Sequence, residues 1–434
     1  MLLQKKIFTT LSIISLAFTL QAKEIYTIDD LIIKSLESSP DVQISQLEYE
    51  ASQKRYDTAF AGYLPKVDLH SAAGLVHQSK TLTSPQDIDD TLITGKLTLK
   101  QIIYDFGKTG GSADEQFHRS KSFEMQNMQS ISDKIRDVKY AYYTLLKAIA
   151  LIDVQKENVK LNEAQFYRSK KYFEAGIRTK IDISDAEVRL IQARLDLKKA
   201  EYELKLAYAE LDSVVGFSSL DDSYSVYAKE LDLQNLYESL SDYPLQLKES
   251  ILYAYAHRYE IKREEALINV AKSQQNAITS QYYPAFYFNS NYTYQSAQDD
   301  FQELIPETQW SANLNLDWNL YQGGATSARK QEGIIQQNIS NERLLRTKLE
   351  IKKMSTNAYI NVNRSKDTVA LAQNLLRVSN EKFEQASKRY EHGLSDYIEL
   401  QEARQGYINA KSTLVIDYYD YYIAVAALDN AIGK

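Results

Sequence analysis

The sequence predicts a mainly helical chain with a smaller share of β-strand, written as two copies of one unit. Helix breakers are scarce, with 14 Gly and 6 Pro in 434 residues, so long rods are expected. Tyr104, Gly107, Gly176, Ala186, Leu211 and Gly216 return as Tyr321, Gly324, Gly393, Ala403, Leu428 and Gly433, each 217 positions later. Within each copy the apolar period switches between 2 and the 3,4 spacing of a helical seam.

The elements follow in chain order. Lys5 and Lys6 precede the apolar run "IFTTLSIISLAFTL", and Ala22 follows it. This pattern predicts a secretory signal peptide over 1–22, too short to span a membrane comfortably. The first repeat is then 23–216, an irregular linker fills 217–245, and the second repeat is 246–434. Each copy reads as helix, Pro, strand, loop, strand, Gly turn, very long helix, Gly tip, helix. The stretch "GYLPKVDL" at 62–69 matches "QYYPAFYF" at 281–288 with an offset of 219, so the copies differ there by two residues.

Strand pairs are expected at 66–79 with 92–104, and at 285–297 with 309–321. In "WSANLNLDWNLY" the residues Trp310, Ala312, Leu314, Leu316, Trp318 and Leu320 alternate with polar ones. Both tryptophans lie eight residues apart on this segment, roughly 26 Å at strand rise. With tilt, that is the height of an outer-membrane apolar band, which makes Trp310 and Trp318 candidate membrane-girdle residues. A soluble sheet with an aromatic core is the other reading of the same alternation. Beyond the leader no apolar run reaches 18 residues, so a spanning structure would have to use strands. Four strands do not close a barrel, and closure would need several copies of the chain.

The helices carry Ile135, Val138, Tyr142, Leu145, Ile149 and Ile152 in 3,4 spacing, and after the tip Leu190, Ala193, Leu197, Ala200 and Leu204 alternate large with small. In the second copy Asp417 interrupts the equivalent seam. From Gly107 to Tyr172 is a rod of about 100 Å. The segments 28–62 and 181–215 are half as long, and stacked end to end they would flank it. Rods of this length call for a hollow or bundled assembly.

Composition and motifs exclude several classes. A formal charge of −7, which falls further once Lys5 and Lys6 leave with the leader, argues against nucleic acid. Without cysteine there is neither a disulfide nor a thiol for a lipid anchor. "GKT" at 107–109 fails as a phosphate-binding loop because Ile102 stands where its first glycine is needed. No two histidines lie three or four apart, so no metal centre is expected, and no cofactor or catalytic constellation appears.

The tips "GIRTKIDISDAE" (176–187) and "GLSDYIELQEAR" (393–404) place Thr179 three before Asp182 and Asp396 three before Glu399. That is capping-box spacing, which accounts for those acids structurally. Carboxylates around a symmetric axis are a second role open to the same residues.

Taken in order, the leader, the two strand-strand-hairpin units, Tyr63-Leu64-Pro65 and Tyr282-Tyr283-Pro284 before the strands, and the glycine tips resemble the TolC family of outer-membrane efflux proteins. The resemblance spans Tyr26 to Gly433. It implies a homotrimer in which three chains form a twelve-strand outer-membrane β-barrel and a long antiparallel coiled-coil α-barrel reaching through the periplasm of a Gram-negative cell. It further implies a passive duct for multidrug efflux or type I protein secretion. The partners implied are outer-membrane lipid, an inner-membrane ABC or proton-driven transporter and a periplasmic adaptor. The adaptor would grip Gly176, Ile177, Arg178, Thr179, Gly393, Leu394 and Ser395, and Tyr390, Glu399 and Glu402 would form the pore constriction. Ser395 stands where some relatives carry an arginine. A periplasmic adaptor has one hairpin instead of two, and a secreted coiled-coil rod has no use for four alternating strands.

Overall fold

A computed structural model describes residues 24–79, 87–177, 179–217, 224–229, 231–297 and 306–434. The predicted leader and Arg178 lie outside the described residues. The elements are β1 (Glu24–Tyr26), α1 (Ile28–Ser38), α2 (Pro40–Phe60), β2 (Lys66–Gln78), β3 (Ile88–Tyr104), α3 (Lys108–Glu174) and α4 (Lys180–Val215). Then come β4 (Tyr224–Val226), α5 (Leu247–His257), α6 (Tyr259–Thr279), β5 (Ala285–Ala297), β6 (Thr308–Asp317), α7 (Ala325–Glu391) and α8 (Tyr397–Ile432). Both α3 and α7 have 67 residues, and both α4 and α8 have 36. At ~1.5 Å per residue the long helices are rods of about 100 Å.

Each long helix leaves a strand through a glycine, Gly107 at φ 92° or Gly324 at φ 82°, a left-handed backbone that a side chain would strain. Along one half of the rods α2 and α6 pack on α3; along the other, α4 and α8 do. The two halves meet end to end. Ser38 Oγ donates to the Val215 carbonyl, closing α4 onto the α1–α2 junction, and a Cβ on Gly216 would lie 3.1 Å from that Oγ. At the other joint Gly433 abuts Arg258, whose Nη1 donates to the Asn430 carbonyl.

The helix expected over 28–62 is thus broken into α1 and α2. Ser39 is extended because Pro40 follows it. Arg258 is extended in the same way between α5 and α6, with no proline after it.

The expected seams are partly or fully buried. Val138, Tyr142 and Leu145 of α3 join Leu211 and Val215 of α4, Leu31 of α1 and Val415 and Tyr419 of α8 in one cluster. On one face of the layer α4–α3–α8–α7 lie α1 and the linker, where Tyr142 donates to the Tyr227 carbonyl at 2.7 Å. Asp417 is half-buried; burial, then the neighbouring Asp420, pushes its carboxyl up.

The sheet has the order β2-β3-β5-β6, antiparallel throughout. Register places Leu69, Leu97, Tyr292 and Trp310 in one row across all four strands, and Phe288 opposite Leu314 on the same face. The other face carries Lys66, Lys100, Asn289 and Asn313 in a row. Leu69, Leu97, Tyr292 and Trp310 are all exposed, so nothing among the described residues covers this apolar row.

Two strand limits differ from those expected by more than one residue. β3 begins at Ile88 instead of 92, and β6 stops at Asp317 instead of 321. Asp317 pairs with Ala285, and the next residue along the partner strand is Pro284, which has no N–H to continue the ladder. Trp318 therefore lies beyond the strand, where its indole N–H donates to the Tyr282 carbonyl at 3.1 Å.

Candidate functional site: the hairpin tips and the outer sheet face

At the first tip α3 closes as the N–H of Gly176 (φ 73°) donates to the Phe173 carbonyl and that of Ile177 to the Tyr172 carbonyl. Thr179 then caps α4. Asp182 Oδ2 accepts from the Thr179 N–H at 2.8 Å and from its hydroxyl at 2.9 Å, completing a capping box. Ile177 at the turn is exposed.

The second tip turns alike, through Gly393 (φ 72°), but caps differently. Asp396 Oδ1 accepts the Glu399 N–H at 2.9 Å, so Asp396 alone caps α8. The carboxylate of Glu399 does not cap. Its Oε1 lies 3.5 Å from Arg389 Nε, and both side chains are substantially exposed. The reading in which both acid pairs act as capping boxes holds for Asp182 and fails for Glu399. The reason is that Arg389, on the facing helix, offers that carboxylate a cation. Glu402, one turn further, is exposed, as is Leu394.

Tyr390 stands apart from the two acids. It is 2% exposed and packs with Ala386, Tyr397, Leu400, Ala403 and Ala186, the last from the first hairpin. In this conformation its ring holds the two hairpins together. Arg168 adds a second tie, with Nη1 3.1 Å from Glu391 Oε1.

Sequence reading missed Arg404. It is buried on α8 against α3, where Nη1 donates to the Leu161 carbonyl at 3.3 Å and Nη2 to Gln401 Oε1. Burial pushes its guanidinium down from the ordinary arginine value and pushes the neighbouring Tyr397 hydroxyl up. Apolar periodicity gives no signal for such a residue, because it sits beside the seam position of Ala403, and its equivalent in the first copy, Glu187, is exposed.

The four-stranded sheet offers the second functional surface. Trp310 is exposed on the apolar row of the sheet, and Trp318 is exposed beyond the end of β6. Among the described residues no helix is long and apolar enough to cross a membrane, and no group of His, Asp and Glu is arranged to hold a metal ion.

The profile of the family described as "Outer membrane efflux protein" matches residues 31–217 and 253–434. The chain belongs to the outer membrane efflux protein family. It is 20% identical over 413 residues to the probable efflux pump outer membrane protein TtgC of Pseudomonas putida, covering 94% of this chain and 82% of TtgC. It is 23% identical over 168 residues to the alkaline protease secretion protein AprF of Pseudomonas aeruginosa, 39% of this chain and 34% of that one. Among solved structures it shares its fold with CusC, at a TM-score of 0.83 and 16% identity over 95% of this chain and 93% of CusC. The Campylobacter jejuni CmeC outer membrane channel superposes with a TM-score of 0.81 and 15% identity, over 94% and 85%. This family membership locates the protein in the outer membrane and makes it a conduit for efflux.

Proposed function

We propose that three copies of the chain close a twelve-strand barrel in the outer membrane and a helical tunnel in the periplasm, a passive exit duct. An inner-membrane transporter, ABC-type or proton-driven, supplies the energy, and a periplasmic adaptor delivers the cargo to the tips. The observation that carries this reading is the sheet. Its apolar row from Leu69 to Trp310 is bare on one side, its opposite face is polar, and β2 and β6 are left as open edges. A bare apolar face suits lipid, and open edges demand partner strands.

The adaptor contacts are Gly176, Ile177, Arg178 and Thr179 on one tip and Gly393, Leu394 and Ser395 on the other. Exposed Ile177 and Leu394 support this reading as apolar anchors at equivalent turns. Glu399 and Glu402 supply the acidic constriction: six carboxylates in three copies attract cations and raise one another's pKa. Trp310 and Trp318 sit in the membrane girdle.

The test is single-channel conductance of the detergent-purified protein in a planar bilayer, with its mass from light scattering. A trimer with a small, cation-selective conductance that falls on adding divalent ions is expected. Neutralising Glu399 and Glu402 together should weaken both the selectivity and the block. A water-soluble monomer without channel activity would overturn the reading.

A further inference from the structure

The offset of 217 makes α7 the counterpart of α3 and α4 the counterpart of α8. Within the chain α3 packs along α8. Their counterparts α7 and α4 lie at opposite edges of the layer α4–α3–α8–α7, each with one side bare. The bare sides keep the composition of the packed ones. Val154 of α3 and Ile408 of α8 are 3% and 2% exposed in one cluster, whereas their counterparts Leu371 and Ile191 are 69% and 59% exposed. Tyr419 is buried, and its counterpart Tyr202 is exposed.

The charges repeat as well. Lys147 Nζ on α3 lies 2.9 Å from Asp420 Oδ1 on α8. Their counterparts are Arg364 on α7 and Glu203 on α4, so each sign is kept on the counterpart helix. Both are exposed, and neither has an ion-pair partner among the described residues. Lys147 lines a groove with Glu203 on one side and pairs with Asp420 on the other. Arg364 lines the next groove beside Asp420, which Lys147 already holds. The carboxylate missing from its other side is the one that α4 of a second copy would bring.

We propose that α4 of one copy packs on α7 of the next as α8 packs on α3 within the chain, and that Arg364 pairs with Glu203 of the partner subunit. This rests on the multi-copy duct proposed above. Each copy offers one free α4 side and one free α7 side, so the contact is head-to-tail, and in the duct proposed above it closes as a ring. Three Lys147–Asp420 pairs would then alternate around the tunnel with three Arg364–Glu203 pairs.

The natural absence of cysteine makes the test direct. The double variant E203C/R364C, treated in membranes with a short bismaleimide, should move most of the chain from the monomer to the trimer band of a denaturing gel. E203C and R364C alone should stay monomeric, because like positions of three copies lie apart around the ring. A double variant that is a trimer by light scattering yet stays monomeric on that gel overturns this contact and leaves the duct intact. A chain that is not a trimer at all overturns both. Charge reversal gives an independent measurement: R364E and E203R should each lower the temperature at which the trimer dissociates, and E203R/R364E should recover it. Failure of the double reversal to recover what the single ones lose would rule out the pairing.

Discussion

The two tips begin from nearly the same sequence and end as different devices. In the first, Thr179 and Asp182 spend their polar groups on each other and on the start of α4. In the second, Asp396 caps alone, Glu399 turns to Arg389, and Tyr390 becomes the packed centre of both hairpins. The lesson is that a carboxylate three residues after a cap is committed only when no nearby cation competes for it. The first tip is locally self-sufficient, whereas the second depends on its neighbours.

The largest test of that contrast compares Tyr390→Ala with Phe173→Ala, the same position in the first copy. Tyr390 is fully packed, and Phe173 is 43% exposed. Losing a packed aromatic should cost about 3–5 kcal/mol, read as a lower melting temperature of the purified protein, with a much smaller loss for Phe173. Equal losses would mean that Phe173 is covered in the assembly and that the tips are alike after all.

A smaller effect separates the two acids. Asp182→Ala removes the acceptor of both Thr179 bonds and should cost about 1 kcal/mol, the usual worth of a cap. Glu399→Ala leaves the Asp396 cap in place and removes only an exposed ion pair, so about 0–1 kcal/mol is expected, shrinking further in high salt. Denaturant titration of the two variants side by side would check the order. If Glu399→Ala costs the more, its carboxylate has a further partner in the assembly.

The smallest effect concerns the seams, where Asp417 in the second copy takes the position that Ala200 holds in the first. Burial raises the Asp417 carboxyl, so the folded chain holds that proton more tightly than the unfolded one. Its contribution is fully present below the unfolded carboxylate value and is lost as pH rises through the raised folded one. Asp417→Asn should therefore raise the melting temperature at neutral pH, and the gain should vanish as pH falls through the carboxylate range. A gain that stays constant with pH would point to packing instead of charge.

The sequence by itself determined what is periodic or local. The 67-residue rods, the alternating strands and their polar and apolar faces, the glycine turns and the cap of Thr179 follow from spacing along the chain, because helix pitch, strand pleat and capping act over a few residues. Tertiary structure decided what depends on a distant neighbour. β6 stops at Asp317 because Pro284, just before β5, would have to pair with the next residue, and Trp318 leaves the ladder with that ending. Pro40 announces the break between α1 and α2, but nothing near Arg258 announces the equivalent break; its guanidinium reaches the last turn of α8. Burial of Tyr390 and Arg404, and the diversion of Glu399 to Arg389, likewise require helices far apart in sequence to meet. Pairing and burial are non-local, and a period read along one segment carries no record of what will face it.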